Sequence, residues 1–290
     1  MIIVGGPASN GIDDGIAKSL SLPLVKVQSK IFPDGESYVR IPETVKDNEV
    51  VVVQSTFPEQ DKRLMELFFI SETLRDMGAT KVHAVVPYLA YSRQDRRFME
   101  GEAISVKTVL RMISQAGADT LLTVEPHHEE EMKYFSGQVK TVSPYEEIAI
   151  EIRKHVSEPY VLAPDRSALG RAERIAKIVE GNFSFIEKMR DKETGKTTIK
   201  EAPNVNLKGK DVILIDDVIS TGGTMVQAAE YAYERGANSV IASACHVLLV
   251  GDAKSKMKRA GIKKIFGTNT VKNDEEVITV DISKTIALSL

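Results

Sequence analysis

Asp211–Thr224 reads DVILIDDVISTGGT. An apolar run, Val212 to Ile215, ends on two adjacent carboxylates, Asp216 and Asp217. Ser220, Thr221, Gly222, Gly223 and Thr224 follow at once. A continuous β-branched run suits a strand covered on both faces, as in a parallel sheet. In open α/β sheets ligands bind at the carboxyl ends of the strands, which is where the acids fall. The S-T-G-G-T segment then predicts a helix start. Backbone N–H groups at a glycine turn and a helix N-terminus attract phosphate. Glycine lets a ligand approach the backbone closely, and the three hydroxyls add donors. The lysine of a G-x-x-x-x-G-K-[ST] loop is missing. Carboxylates and phosphate repel, so the acids must face something else: sugar hydroxyls or a metal ion. Phosphate and polyol in one ligand make a sugar phosphate.

Working outward, further apolar runs recur: MIIVG, NEVVVVQS, KVHAVVPY, DTLLTVE, YVLAPD, FSFIEK, SVIASACHVLL and KKIFGTN. Helical patterns lie between them. In DKRLMELFFISETLRDMGA, Leu64, Leu67, Phe68 and Leu74 share a face and Gly78 stands at the C-terminal cap position. GGTMVQAAEYAYERGA predicts a second helix ending near Gly236. Strands alternating with helices give an α/β architecture. LRDMGATKVHAVVPY and AYERGANSVIASACH repeat the same helix end, Gly-Ala turn and buried strand, half a chain apart. That echo predicts two copies of one unit, residues 1–143 and 144–290, divided near Ser143 and Pro144. Each copy is expected to be a mainly parallel sheet flanked by helices.

Composition narrows the class of function. The chain has 290 residues, enough for a sizeable core, with 42% hydrophobic and 27% charged residues. A net charge of −3 offers no general attraction to nucleic acid. The single cysteine, Cys245, forbids an internal disulfide, and in a strand-like run it reads as a packed core thiol. MIIVGGPASNG lacks the pattern of a signal peptide, and no apolar stretch is long enough to span a bilayer. A cytoplasmic protein with no membrane or nucleic-acid partner is expected.

The DDVISTGGT stretch resembles the signature of type I phosphoribosyltransferase folds. The resemblance implies that Asp216 and Asp217 lie along ribose hydroxyls and that residues 220–224 hold the 5′-phosphate. Other stretches carry the resemblance to the ribose-phosphate pyrophosphokinase family. KIFPDGESYVRIPE contains Phe32, Asp34, Gly35 and Glu36, which turn chemistry alone also explains. PYLAYSRQDRRF contains Arg93, Gln94 and Asp95 in a basic cluster suited to a polyphosphate or purine. In that family both stretches bind ATP, and the first comes from a neighbouring subunit. A homo-oligomer, at least a dimer, is therefore implied.

TVEPHHEEEMKYF supplies His127 and YVLAPDRSALGRA supplies Asp165. Taken alone, His127 is also a surface histidine beside His128, and Asp165 also an N-cap. The resemblance makes them contacts of the Mg²⁺ bound with ATP. FIEKMRDKETGKTTIK is polar and without apolar period; Lys188 and Arg190 match the K-x-R of the family's catalytic loop. Cations there would stabilise charge on a transferring group, and a closing loop would exclude water. Arg190 is also expected to touch ribose 5-phosphate. The chain departs from the family at Glu125-Pro126-His127, where Asp-Leu-His is common. It departs again at Arg166, Ser167 and Ala168, where paired glycines are usual, and it is somewhat short.

These matches together imply a ribose-phosphate diphosphokinase. It moves the pyrophosphoryl group of Mg-ATP to the anomeric hydroxyl of ribose 5-phosphate, giving phosphoribosyl pyrophosphate and AMP. Two other functions remain: a phosphoribosyltransferase that consumes phosphoribosyl pyrophosphate, and a non-catalytic regulatory relative. DDVISTGGT fits the first as well, but FPDGE and YSRQDR do not. The second would have lost Lys188, Arg190, His127 or Asp165, and all four are present.

Overall fold

The computed structural model describes residues 1–190, 197–200 and 205–290, with 188–190 and 197–200 described by their backbone only. It resolves into two compact units. One holds Met1–Ser143, Asn269–Lys272 and Asp281–Leu290; the other holds Pro144–Thr268 and Asn273–Val280.

The first unit begins β1 (Ile2–Gly5), α1 (Ile12–Leu20), β2 (Leu24–Lys26), β3 (Gln28–Ile31), β4 (Ser37–Arg40) and β5 (Glu49–Val53). It continues α2 (Gln60–Asp76), β6 (Lys81–Val86), α3 (Ser105–Gln115), β7 (Thr120–Val124) and β8 (Gln138–Val142). Its main sheet has the order β2-β1-β5-β6-β7-β8, and every pairing is parallel. β3 and β4 form a separate antiparallel hairpin. The valines of β5 are buried on both faces, as a central parallel strand requires. Leu64, Leu67, Ile70 and Leu74 of α2 pack into the same core, with Phe68 partly buried against it. Gly78 takes φ +86°, the left-handed conformation that ends a helix.

The second unit runs α4 (Tyr145–Arg153), β9 (Pro159–Ala163), α5 (Leu169–Val179), β10 (Asn182–Phe185), β11 (Glu187–Arg190) and β12 (Thr197–Lys200). β13 (Asp211–Ile219), α6 (Gly223–Glu234), β14 (Ser239–Val247), α7 (Ala253–Arg259), β15 (Ile262–Thr268) and β16 (Val277–Val280) complete it. The sheet order is β10-β9-β13-β14-β15-β16, again parallel throughout. β11 and β12 form an antiparallel hairpin between β10 and β13. The two units thus share one topology: the second strand at the edge, a hairpin excursion, then strands in sequence. Both sheets are wholly parallel where the sequence predicts mainly parallel.

The terminal helices are exchanged. α4 follows β8 of the first unit but packs against α5 of the second. α8 (Ser283–Ser289) follows β16 of the second unit but packs against α1 and β8 of the first. Gly15 of α1 sits so close that a Cβ there would lie 2.2 Å from Ser283 Cβ. No helix among the described residues is long and apolar enough to cross a membrane.

Candidate functional site

β13 is buried from Asp211 to Ile215 and does not stop at the acids; it runs on to Ile219, pairing Asp216 with Ala244 and Ile219 with Val247. Both carboxylates therefore stand on a rigid central strand at its carboxyl end. Each caps the backbone ahead of it: Asp217 N–H donates to Asp216 Oδ1, and Val218 N–H to Asp217 Oδ1, both at 2.9 Å. Burial, followed by repulsion from Asp217, pushes the Asp216 carboxyl up to about 7. At the other end of the strand Asp211 behaves oppositely. Burial opposes its charge, but Ser239 Oγ, Ser157 N–H, Asn238 Nδ2 and Glu158 N–H all donate to it and hold it at about 2.

After β13 the chain turns through Ser220, Thr221 and Gly222 into α6. Gly222 is the N-cap with φ +73°, and a Cβ there would also meet Met257 at 3.1 Å. Gly223 meets nothing within 4 Å. The first helical bond is Val226 N–H to Gly222 O, so the preceding N–H groups point out of the helix. No side chain caps them and no acid lies in the first turn. Among the described residues the hydroxyls of Ser220, Thr221 and Thr224 make no hydrogen bond. This is the open, electropositive helix start that the sequence predicts.

Sequence reasoning missed Arg171. It projects from α5 and lies 4.0 Å from Asp216 Oδ1 and 3.7 Å from Asp217 Oδ2. Its signal was faint: GRAER places an arginine directly before buried Ala172, on a helix whose other inward residues are apolar. Asp165 is in the same unit and is the N-cap of a 3-10 turn, Arg166–Ala168. Its Oδ1 accepts from Ser167 N–H and Oγ; Oδ2 has no hydrogen-bond partner among the described residues. The side chains of Lys188 and Arg190, on β11, lie outside the described residues.

In the first unit the structure joins two predicted stretches. Asp95 Oδ2 pairs with His128 Nε2 at 3.1 Å, and the rings of His127 and His128 are 4.6 Å apart. Tyr91 (φ +66°) and Glu125 (φ +40°) precede these groups in a conformation that non-glycine residues rarely adopt. Arg93 is exposed and Gln94 half-buried, with its N–H on Tyr91 O. Phe32, Asp34, Gly35 and Glu36 form the exposed tip of the β3–β4 hairpin. Phe32 N–H donates to Glu36 O, Gly35 takes φ +96°, and Asp34 Oδ1 accepts from Glu36 N–H. Lys30 Nζ lies 4.8 Å from the Phe32 ring, which meets Tyr38 edge-on. Among the described residues, no hydrogen bond or ion pair joins this tip to 93–95. Nor does any group of three His, Cys, Asp or Glu stand ready to hold a metal.

Residues 1–117 match the N-terminal domain of ribose phosphate pyrophosphokinase, and residues 141–283 a phosphoribosyl transferase domain. The chain is 58% identical, over the full length of both, to a ribose-phosphate pyrophosphokinase of Saccharolobus solfataricus. It is 54% identical to that of Sulfurisphaera tokodaii, with 99% of each chain covered. Its fold matches the crystal structure of phosphoribosylpyrophosphate synthetase from Mycobacterium smegmatis with a TM-score of 0.87 at 27% identity, covering 99% of this chain and 96% of that one.

Proposed function

Because the chain belongs to the ribose-phosphate pyrophosphokinase family and makes phosphoribosyl pyrophosphate, we propose that the β13–α6 junction is where it holds ribose 5-phosphate. The observation that carries this reading is the adjacency of two carboxylates and an uncapped helix start on one rigid strand. The 5′-phosphate would accept from N–H groups of 222–225 and the hydroxyls of Ser220, Thr221 and Thr224. The sugar hydroxyls would donate to Asp216 and Asp217.

In the reaction the anomeric oxygen of the sugar attacks the β-phosphorus of ATP. The bond from that phosphorus to the α-phosphate oxygen breaks, AMP leaves and the anomeric proton is released. The ribose-holding residues fix the direction of attack, which is most of what phosphoryl-type transfer asks of a protein. Arg93, Gln94 and Asp95 would hold the nucleotide, and Phe32, Asp34, Gly35 and Glu36 would cover it from a neighbouring copy, so the working unit is at least a dimer. Lys188 and Arg190 would stabilise charge on the moving group, with Arg190 also on the sugar phosphate. We place the enzyme in the cytoplasm, without nucleic-acid or membrane partners.

Asp165 would suit Mg²⁺: its Oδ2 is a hard oxygen without a hydrogen-bond partner among the described residues, and the family resemblance would add His127. A small oxygen-seeking cation with few protein ligands keeps its own waters and substrate oxygens. When bound, Mg²⁺ would neutralise charge on the ATP phosphates. Asp165, fixed by Ser167, presents one oxygen in a set direction.

Incubation with Mg-ATP and ribose 5-phosphate should give AMP and phosphoribosyl pyrophosphate in equal amounts. Crystals soaked with ribose 5-phosphate should show the phosphate on 220–225. A sugar phosphate bound elsewhere, or ADP as the nucleotide product, would overturn the assignment.

A further inference from the structure

R-Q-D-R-R, from Arg93 to Arg97, sets one acid among three arginines. A carboxylate in such company can settle against a neighbouring guanidinium, whose planar fork fits it. Asp95 does not. Its side chain is only 9% exposed, and Oδ2 lies 3.1 Å from Nε2 of His128, in the segment that follows β7. A carboxylate only accepts, so this contact puts the proton on His128 Nε2. Among the described residues His128 is the only partner of the Asp95 side chain, and Arg93, Arg96 and Arg97 make no ion pair with any acid. Arg96 lies over the Phe98 ring at 5.1 Å, and Arg97 Nε donates to Glu102 O at 2.8 Å.

The fold brings the pair together. β6 and β7 are parallel neighbours, so the chain leaves both at the same end of the sheet. Left-handed residues turn each exit, Tyr91 at φ +66° and Glu125 at φ +40°. The Tyr91 hydroxyl donates to Asp61 of α2, which ties down the start of the arginine segment.

We propose that His128 draws Asp95 inward and so leaves the Arg93, Arg96 and Arg97 guanidiniums uncompensated, ready for a polyphosphate. The inference rests on the nucleotide site proposed above, which makes that polyphosphate ATP. His128 is then a positioning residue that acts through Asp95. Without it a nearly buried carboxylate would have no partner, which is costly, and it would turn out to the arginines. Each guanidinium it met would be lost to the phosphates.

The test compares His128→Ala, His128→Gln and His128→Ala combined with Asp95→Asn. Calorimetry with Mg²⁺ and α,β-methylene ATP, whose bridge between the α- and β-phosphorus cannot break, reads nucleotide affinity. His128→Ala should weaken it roughly tenfold, the scale of one charge-assisted contact. The KM for ribose 5-phosphate should stay within about twofold, the split expected when uniform binding of one substrate is lost. His128→Gln keeps an N–H donor and should hold the affinity near wild type. Adding Asp95→Asn to His128→Ala removes the charge that the arginines would meet, keeps an acceptor, and should recover most of the loss. Unchanged affinity in His128→Ala, or a loss that Asp95→Asn does not recover, overturns the proposal. A second readout needs no nucleotide. A crystal structure of His128→Ala should place the Asp95 carboxylate within ion-pair distance, about 4 Å, of Arg93, Arg96 or Arg97. A carboxylate that stays in place overturns the proposal. If Arg93→Ala leaves the affinity unchanged, the nucleotide site proposed above fails, and the crystal structure still decides whether His128 holds Asp95 away from the arginines.

Discussion

At the junction from β5 to α2 the side chains of Gln54, Ser55 and Thr56 are all bonded within the protein. Gln54 Oε1 accepts from Ala8 N–H at 3.0 Å and its Nε2 donates to buried Glu66 at 3.1 Å, while Arg63 pairs with the same Glu66 oxygen. Ser55 Oγ donates to Thr270 O, and Thr56 Oγ1 donates to Tyr88 O while accepting from Ala90 N–H. The helix that follows starts with its own acids, Glu59 and Asp61, and Asp61 accepts from the Tyr91 hydroxyl. At the junction from β13 to α6, which holds the same place in the shared topology, the acids stop short of the helix and its start is bare. A β5-type junction is a structural joint, closed by buried hydrogen bonds worth about 1 kcal/mol each. A β13-type junction leaves its helix start uncapped, and the proposed ribose 5-phosphate site draws on that. One topology supports both, so on this proposal competence to bind rests on where polar groups are left uncapped and not on the fold.

The largest test of this contrast is kinetic. Replacing both Asp216 and Asp217 by Asn should lower kcat/KM for ribose 5-phosphate by roughly a thousandfold or more, two charged contacts of about 2 kcal/mol each. Changes at Gln54 should leave it near wild type. Comparable losses at both junctions would erase the distinction.

Next comes stability, where the two ends of β13 should respond with opposite sign. Asp216 is raised to about 7 from an ordinary 3.8, so its burden on the fold is absent below about pH 4, grows toward pH 7 and then stays. Asp216→Asn should therefore stabilise the protein at pH 8, by up to about 4 kcal/mol, and change nothing at pH 4. Asp211 is lowered to about 2, so its contribution is complete above pH 4 and lost as pH falls toward 2. Asp211→Asn should cost about 2 kcal/mol at pH 7. Denaturant unfolding at the two pH values checks both.

Gln54→Ala strands the Ala8 N–H and half of the Glu66 pairing, so about 2 to 3 kcal/mol of stability should be lost without a change in either KM. The smallest effects separate the two glycines. Gly222→Ala puts a Cβ on a residue at φ +73°, costing about 1 to 2 kcal/mol of stability. Gly223→Ala meets open space and should hold or slightly raise the melting temperature while weakening ribose 5-phosphate binding, measured by calorimetry. A Gly223→Ala protein that binds normally would show that the phosphate does not approach there.

Central strands were legible because parallel strands covered on both faces are written as unbroken apolar runs, as in VVVV of β5 and VILI of β13. β3, wholly exposed, and β8, exposed along most of its length, carry no such pattern and do not stand out in the sequence. The acid pair and the glycine turn were legible because they are contiguous. Arg171 was not: it reaches Asp216 from the side of a helix far back in the sequence, and only packing brings it there. Gln54 was hidden differently. A glutamine after four valines signals nothing until the loop it plugs, Gly6 to Ala8, is seen against it, with a Cβ on Gly6 falling 2.3 Å from Gln54 Oε1.

The swap of α4 and α8 also bears on how the polypeptide is made. A ribosome delivers β1 to β8 first, but α8, which packs on α1, is made only after β16. The half that emerges first is thus the half completed last, and during translation its α1 surface stays uncovered while the second half has all its pieces in hand. Premature termination after Val280 would strip a layer from the early half and leave the late half whole.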